Sequence, residues 1–370
     1  MIISKQIKSK ISKEGLLSIS IDEVEVPEPK DGEVLIKVQA TPINPSDLGL
    51  LVGPADVSSL KVIEEGKLVE MQVPEGLIRS VAARFDQDLP VGNEGAGIVE
   101  SAGKGAEHLI GKIVGVAGGA MYSEYRCLPA MSCLEMNEGT TSEQAASCFV
   151  NPLTALGMVE TMRMENHTGL VHTAAASNLG QMLVKICSAE EVPLVNVVRK
   201  EEHVDLLKSL GAKYVCNSSL DSFMDDLVNA IVETGSTLGF DATGGGKLAS
   251  QILTAMEVAA NKTATEFSRY GSDKFKQVYI YGGLDRNPTT LTRSFGFSWG
   301  LGGWLLTPFI GRVGQEKFGE LRKKVADEID TTFESKYSDT ISLEQALSPD
   351  SILSYTKQAT GEKYLIKPDS

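Results

Sequence analysis

Cysteine is scarce in this chain and forms no pattern. The five residues Cys127, Cys133, Cys148, Cys187 and Cys216 lie scattered in apolar surroundings with no C-x-x-C pair. An odd, dispersed set implies reduced core thiols in a cytoplasmic protein rather than a disulfide framework. Positive charge is also short. Lys and Arg number 35 against 49 Asp and Glu, a net charge of −14, which argues against a nucleic-acid partner. Any phosphate site must therefore be a local basic spot on an acidic background. No ordinary membrane span is evident. The uncharged stretch 294–311 is rich in glycine and broken by Pro308, so it reads as buried core, a subunit interface or the edge of a pocket. The opening MIISKQIKSKISKEG has no continuous apolar core and does not resemble a secretory signal. Internal repeats and low-complexity linkers are missing as well. What remains is 370 residues of ordinary globular composition, long enough for two domains.

Residues 15–129 read as β-rich. Leu16–Val26 alternates, and Glu33–Ala40, Ala96–Glu100 and Lys112–Ala117 are further short strands separated by glycine-rich turns. From Thr141 the pattern turns helical, with Ser142–Val159 interrupted only by Pro152. A strict βα alternation then begins at Gly169. Helices are expected over His203–Leu210, Ser222–Glu233 and Leu248–Val258, and strands over Lys213–Cys216, Leu238–Ala242 and Val278–Tyr281. Repeated strands ending in glycine-rich turns predict a parallel sheet whose carboxyl edge holds a ligand. That edge makes Thr243, Tyr281, Gly282 and Gly283 candidate contacts. A charged helix from Gln315 and a short strand, Lys363–Ile366, are expected to fold back onto the first domain. The predicted limits are 1–140 with 312–370 for one domain, and 141–311 for the other.

The most informative stretch runs from Leu170 to Lys200. Leu170–His172 is an apolar approach, Gln181–Ala189 has a helical apolar face, and Leu194–Val198 is a valine-rich buried strand. A dinucleotide-binding βαβ unit usually spells its turn G-x-G-x-x-G. Here those places hold Ala175, Ser177 and Gly180, so one glycine of three survives. Ala and Ser are still small, Asn178 tolerates left-handed backbone, and the helix start spanning Leu179 and Gln181 offers N–H groups to phosphate. The same turn would also suit an α/β protein with no nucleotide. An acid normally follows the second strand to bind a ribose hydroxyl, yet Val195–Lys200 contains none and ends in Arg199 and Lys200. A guanidinium matches a phosphate, so the expected cofactor is NADPH; alternatively the two cations simply solvate a strand end.

Four further words, INPSDLGLLVG (Ile43–Gly53), VGNEGAGIVESAG (Val91–Gly103), NPLTALGM (Asn151–Met158) and NVVRKEEHVDLLKSLGA (Asn196–Ala212), occur in an order that resembles the medium-chain dehydrogenase/reductase superfamily. Within it the chain is similar to the branch of zinc-free quinone oxidoreductases and 2-enoyl thioester reductases. The resemblance implies an α/β fold: a GroES-like β-rich catalytic domain plus a doubly wound parallel-sheet Rossmann domain. Alcohol dehydrogenases of the superfamily carry a zinc-binding Cys where Asn44 stands and a His where Asn93 stands, and neither Asn is a usual Zn²⁺ ligand. The four-cysteine zinc lobe is missing too, so no metal is expected.

The chemistry implied is hydride transfer from NADPH to a small electrophilic acceptor, a quinone or an α,β-unsaturated carbonyl compound, with enoyl thioester reduction or non-catalytic NADPH binding as alternatives. By resemblance Asn44 lies beside the nicotinamide and Thr154 contacts the same end. Asn44 is also what a turn before Pro45 would carry, and Thr154 what a helix residue bonding its own backbone would be. Two departures stand out. Thioester reductases of this kind carry a Tyr shortly after the INPSD word, where this chain has Val52–Asp56; Tyr122 and Tyr125 read as strand residues. The interval Asp47–Glu94 is long, and Glu75–Asp86 reads as an extra amphipathic helix, either capping the substrate or lying idle on the surface. The family tends to pair Rossmann edge strands near Thr289–Phe297, which implies a homodimer.

Overall fold

The computed structural model describes residues 2–361 and 363–369. The chain divides into two compact units, Met1–Val150 with Arg322–Ser370, and Asn151–Leu321. The first boundary falls at 150 rather than 140 because the short helix Ser142–Ala145 packs on strands of the first unit. The second falls inside the helical segment Leu306–Asp327, beyond its kink at Gly314.

The first unit is built from two sheets. One has five antiparallel strands in the order Asp56–Glu64, Leu68–Gln72, Leu16–Val26, Ile2–Ile11, Leu89–Pro90. Alternation along its central strands buries Ile7, Leu17, Ile19, Val69 and Met71 on one face. The other has Glu33–Pro42 at its centre, paired antiparallel with Glu94–Ala102, Tyr125–Pro129 and the C-terminal strand Tyr364–Ile366. The tail thus returns to the first unit, as the sequence suggests. Val34, Ile36, Val38, Val99, Val114 and Val116 form its core. All five cysteines are free, four of them buried.

The second unit has a six-stranded sheet in which every pairing is parallel. Its order is Tyr214–Asn217, Leu194–Val198, Leu170–Thr173, Leu238–Asp241, Lys276–Ile280, Trp299–Gly303. Numbered along the chain this reads 3-2-1-4-5-6, the doubly wound order of dinucleotide-binding sheets. The strands are mostly apolar and buried on both faces, with Val171, Val195, Val197 and Val278 at 2% exposure or less, because helices cover both sides.

Three expectations need correcting. Ser142–Val159 is two helices, Ser142–Ala145 and Val150–Met164, since the intervening backbone turns to donate N–H groups to a buried carboxylate. Glu75–Asp86 is one α-turn, Glu75–Ile78, followed by a 3₁₀ helix, Arg79–Arg84, behind a β-hairpin the sequence did not announce. The outermost strand of the parallel sheet is Trp299–Gly303 rather than Thr289–Phe297, because Asp285–Thr289 pairs instead with the glycine strand Gly244–Gly246. The stretch 294–311 is mixed: Phe295 and Trp304 are buried, whereas Phe297 and Leu305 are exposed. No helix among the described residues is long and apolar enough to cross a membrane.

Candidate functional site

In a 3-2-1-4-5-6 sheet the order reverses between strands 1 and 4, and the crevice outside their carboxyl ends is where ligands bind. Those strands are Leu170–Thr173 and Leu238–Asp241. After the first comes the turn Ala174–Ser177, and then the helix Asn178–Ala189. Ser177 caps that helix, its hydroxyl accepting the Gly180 N–H at 3.2 Å. The Gln181 side chain donates to Ala176 O at 2.9 Å and ties the turn shut. The first N–H groups of a helix have no carbonyl of their own helix to bond, and here they start from the switch point.

The survival of one glycine has a steric reason. A Cβ on Gly180 would lie 2.1 Å from Ala175 O and 2.5 Å from its carbonyl carbon, so helix and turn touch backbone to backbone. Ala175 and Ser177 adopt no positive φ; the left-handed residue of the turn is Ala174, at φ 49°. Glycine is therefore dispensable at 175 and 177 but not at 180. Leu179 is buried under the helix start, and Asn178 is half-buried.

On the other side of the switch point stands Asp241, which sequence reasoning does not find. Fully buried, its carboxylate accepts the Thr173 hydroxyl at 2.8 Å and the N–H groups of Thr243 and Gly244 at 2.9 and 3.2 Å. Thr173 Oγ1 in turn accepts the Ala242 N–H at 2.8 Å. One carboxylate thus locks the turn after strand 1 to the turn after strand 4, and fixes Thr243 at the crevice. Nothing in D-A-T-G-G-G spells that role, because the partner hydroxyl is 68 residues away.

Tyr281, Gly282 and Gly283 follow the next strand. Tyr281 and Gly282 line a cleft of about 330 Å³ together with Gly303, Trp304 and Leu305. The Tyr281 hydroxyl shares a 2.7 Å hydrogen bond with His172 Nε2, and the rings stack at 5.8 Å. Burial holds His172 down to about 3, so this imidazole is neutral at neutral pH. Trp304 donates its Nε1–H to Thr161 at 3.0 Å and packs where a Cβ on Gly157 would sit 2.8 Å away. Thr154 is buried in the same helix, Val150–Met164. Arg199 and Lys200 follow the strand Leu194–Val198 and are exposed; Lys200 pairs with Glu202 at 3.1 Å.

The first unit holds a separate buried polar cluster around Asn44. This residue starts the helix Pro45–Leu51. Its N–H donates to Asp47 Oδ2 at 2.8 Å, while Asp47 Oδ1 accepts the Asn93 N–H at 2.8 Å. Asn44 and Asn93 are thus tied together by one carboxylate. Glu94 is fully buried. Its Oε1 accepts Asn44 Nδ2 at 2.8 Å, and its Oε2 accepts the N–H groups of Phe149 and Val150 at 2.8 and 2.9 Å. These two N–H groups are available because the helix breaks there. Lys363, also buried, donates to Ser147 Oγ at 2.7 Å, and Ser147 meets Tyr337 Oη at 2.9 Å. Burial raises Asp47 to about 7, against the pull of its two backbone N–H donors. Burial likewise pushes Glu94 up, opposed by the charge of Lys363, and lowers Lys363 to about 8. Tyr122 is buried beside Asp47, its hydroxyl donating to Pro42 O at 3.1 Å, and lies in a turn rather than a strand; Tyr125 begins a strand. No group of three or more His, Cys, Asp or Glu among the described residues is placed to share a metal ion.

Comparison with known proteins agrees with this architecture. Residues 30–173 match the alcohol dehydrogenase GroES-like domain. A mitochondrial enoyl-[acyl-carrier-protein] reductase of Caenorhabditis elegans is 24% identical over 205 residues, covering 53% of this chain and 52% of that protein. An NAD-dependent alcohol dehydrogenase of Saccharolobus solfataricus is 26% identical over 240 residues, covering 60% and 67%. The chain thus spans about half to two thirds of the length of these relatives. Among solved structures, a Mesorhizobium loti protein provisionally assigned as an NADPH:quinone reductase superposes with a TM-score of 0.73 at 23% identity, covering 99% of this chain and 98% of that one. With a match to the GroES-like domain over residues 30–173 and a 3-2-1-4-5-6 sheet after it, the chain has the fold of the medium-chain dehydrogenases/reductases.

Proposed function

We propose that the protein is a zinc-independent, NADPH-dependent reductase of quinones or α,β-unsaturated carbonyl compounds. The observation that carries the reading is the pair of groups flanking the switch point. A Ser177-capped helix starts on one side, and Arg199, with no acid over 195–200, follows the neighbouring strand. The donor set suits the cofactor: helix N–H groups and a close backbone approach at Gly180 for a pyrophosphate, and a guanidinium for a ribose phosphate. Glu201 and Glu202 follow Lys200, and with Lys200 paired to Glu202, Arg199 supplies positive charge at this strand end on an acidic chain. Thr243, Tyr281, Gly282 and Gly283 would complete the cofactor's surroundings at the carboxyl edge. When bound, the dihydronicotinamide supplies the hydride.

The residues of this chain orient and exclude water. Asp241 holds the two crevice turns in register, and Tyr281 and Trp304 give the cleft an apolar wall. Zinc independence rests on donor chemistry. Asn44 and Asn93 offer amides where a catalytic zinc needs thiolate, imidazole or carboxylate, and the amide nitrogen of Asn44 is committed to Glu94. Without a Lewis acid to polarise an alcohol, reduction of an already electrophilic acceptor is the chemistry left open. Enoyl thioester reduction is the second reading, favoured by the similarity to enoyl reductases. A homodimer belongs to the same proposal, with Trp299–Gly303 as the strand edge open to pairing.

The test is NADPH oxidation against 1,4-quinones, enones and enoyl thioesters, with NADH as control. Turnover is expected with at least one class and a preference for NADPH. Arg199→Glu should weaken NADPH binding by roughly 10- to 100-fold, the worth of one charge-assisted contact, and leave NADH unaffected. A wild-type preference for NADH would overturn the role given to Arg199. Inactivity towards all three classes would overturn the enzyme reading.

A further inference from the structure

Arg199 has Glu201 and Glu202 close behind it in sequence, yet among the described residues its side chain forms no ion pair or hydrogen bond. Each carboxylate is engaged elsewhere. Glu202 Oε1 meets Lys200 Nζ at 3.1 Å, and Glu201 Oε2 accepts Nδ2 of Asn217 at 3.3 Å. Glu201 matters more, because of its spacing. In NAD-binding folds the acid that grips the ribose 2′-hydroxyl lies about 20 residues beyond the glycine turn, and Glu201 follows Gly180 by 21. Here it opens the helix Glu201–Ser209 and bonds to the neighbouring strand end instead. Asn217 ends the strand Tyr214–Asn217, lies in register with Val198 and is 5% exposed. Its Oδ1 accepts both the Ser219 N–H at 3.1 Å and the Ser219 hydroxyl at 2.8 Å. With two donors on the oxygen the amide cannot flip, so its N–H group must face Glu201. All of these residues lie in the second unit.

We propose that Asn217 is a positioning residue for cofactor choice. By holding the Glu201 carboxylate on the end of the neighbouring strand, it keeps Arg199 unpaired for the 2′-phosphate of NADPH and withholds the acid that would select NADH. This rests on the NADPH reading above. The ligand chemistry is a phosphomonoester on the adenosine ribose. A released Glu201 undoes its recognition in two ways, by neutralising Arg199 and by repelling the phosphate. Both act through the 2′-phosphate alone, whereas the loss of a merely structural turn weakens every adenosine nucleotide.

The experiment titrates the full chain calorimetrically with adenosine 2′,5′-bisphosphate and with 5′-AMP, which differ only in the 2′-phosphate. Wild type should bind the bisphosphate more tightly. Asn217→Asp keeps the oxygen that holds Ser219 and replaces the N–H donor by a second oxygen, which drives Glu201 away. It should weaken the bisphosphate about five-fold or more, the effect of one like charge near a protein surface, and leave 5′-AMP within about two-fold. Adding Glu201→Gln should restore most of the loss, since the amide at 201 donates to the new carboxylate and carries no charge towards Arg199. That recovery separates Glu201 from the added charge at 217, which would weaken the bisphosphate with or without Glu201. Glu201→Gln alone changes an exposed side chain and covers the case in which Asn217→Asp folds poorly. It should stay within about two-fold of wild type for both probes, because its carboxylate is already withdrawn. The proposal is overturned, with the NADPH reading left standing, by no loss or an equal loss for both probes in Asn217→Asp, or by no recovery in the double variant. A bisphosphate gain of about five-fold in Glu201→Gln alone overturns it in the same way. A wild type that binds 5′-AMP as tightly as the bisphosphate overturns the NADPH reading, and the proposal with it.

Discussion

Replacing Gly180 by alanine tests the central steric claim about the nucleotide turn. At a position with compatible backbone, Gly→Ala stabilises by about 0.4–1 kcal/mol through the unfolded chain, and the φ of Gly180 is not positive. Backbone entropy alone therefore predicts a gain. Packing predicts the reverse, since the new Cβ would sit 2.1, 2.5 and 2.7 Å from the O, C and Cα of Ala175. Carbon contacts are comfortable at about 3.5–4.0 Å, so the obstacle must retreat by an ångström or more. It is main chain, held by Ser177 and Gln181. Overpacking costs about 1–3 kcal/mol and occasionally more, and an unyielding backbone puts this site near 3. For a unit of this size that lowers Tm by about 6–12 °C. Both tryptophans, Trp299 and Trp304, lie in the same unit, so thermal unfolding followed by tryptophan fluorescence reads the affected unit. Gly283→Ala is the control, because no residue beyond its chain neighbours lies within 4 Å of where its new Cβ would sit; it should stay within about 0.5 kcal/mol of wild type. A Gly180→Ala protein melting within 2 °C or so of wild type, or above it, would refute the argument.

Two further outcomes are expected. Lys276 and Glu257 form a buried 2.6 Å ion pair, with side chains 0% and 5% exposed, so Lys276→Met alone should cost about 3–5 kcal/mol in urea unfolding by stranding the carboxylate. Adding Glu257→Leu should recover most of that loss; a double variant no better than the single one would contradict the assignment. Lys363 gives a pH signature. Its ammonium faces Glu94 and Asp47 beside Ser147 and Tyr337, and burial lowers it from 10.5 to about 8. Between those values the unfolded state binds more protons, so this group makes stability rise with pH, by about 3 kcal/mol in all, and the cost is complete below pH 8. Unfolding of wild type against Lys363→Met from pH 7.5 to 9.5 should show the rise in wild type alone; parallel profiles would exclude it.

The second unit was legible almost completely from the order of its amino acids. Strands buried on both faces are rich in apolar residues, helices between them repeat at 3.6, and glycine marks the carboxyl turns at 244–246 and 282–283. These are local consequences of burial, so Leu170–Thr173, Leu194–Val198 and Leu238–Asp241 can be read without coordinates. The position of Arg199 directly after the strand Leu194–Val198 is legible in the same way. The broken helix at 146–149 was illegible, because its cause is a carboxylate 55 residues away. The hairpin at 56–72 gives no signal because its strand Asp56–Glu64 is an exposed edge with little apolar alternation. Folding in three dimensions was needed to establish that Asp241 locks two turns, that Asp47 joins Asn44 to Asn93, and that Glu94 takes the Asn44 amide nitrogen. A carboxylate acquires those roles from donors distant in sequence that folding brings to about 3 Å, and no local pattern in the chain encodes that distance.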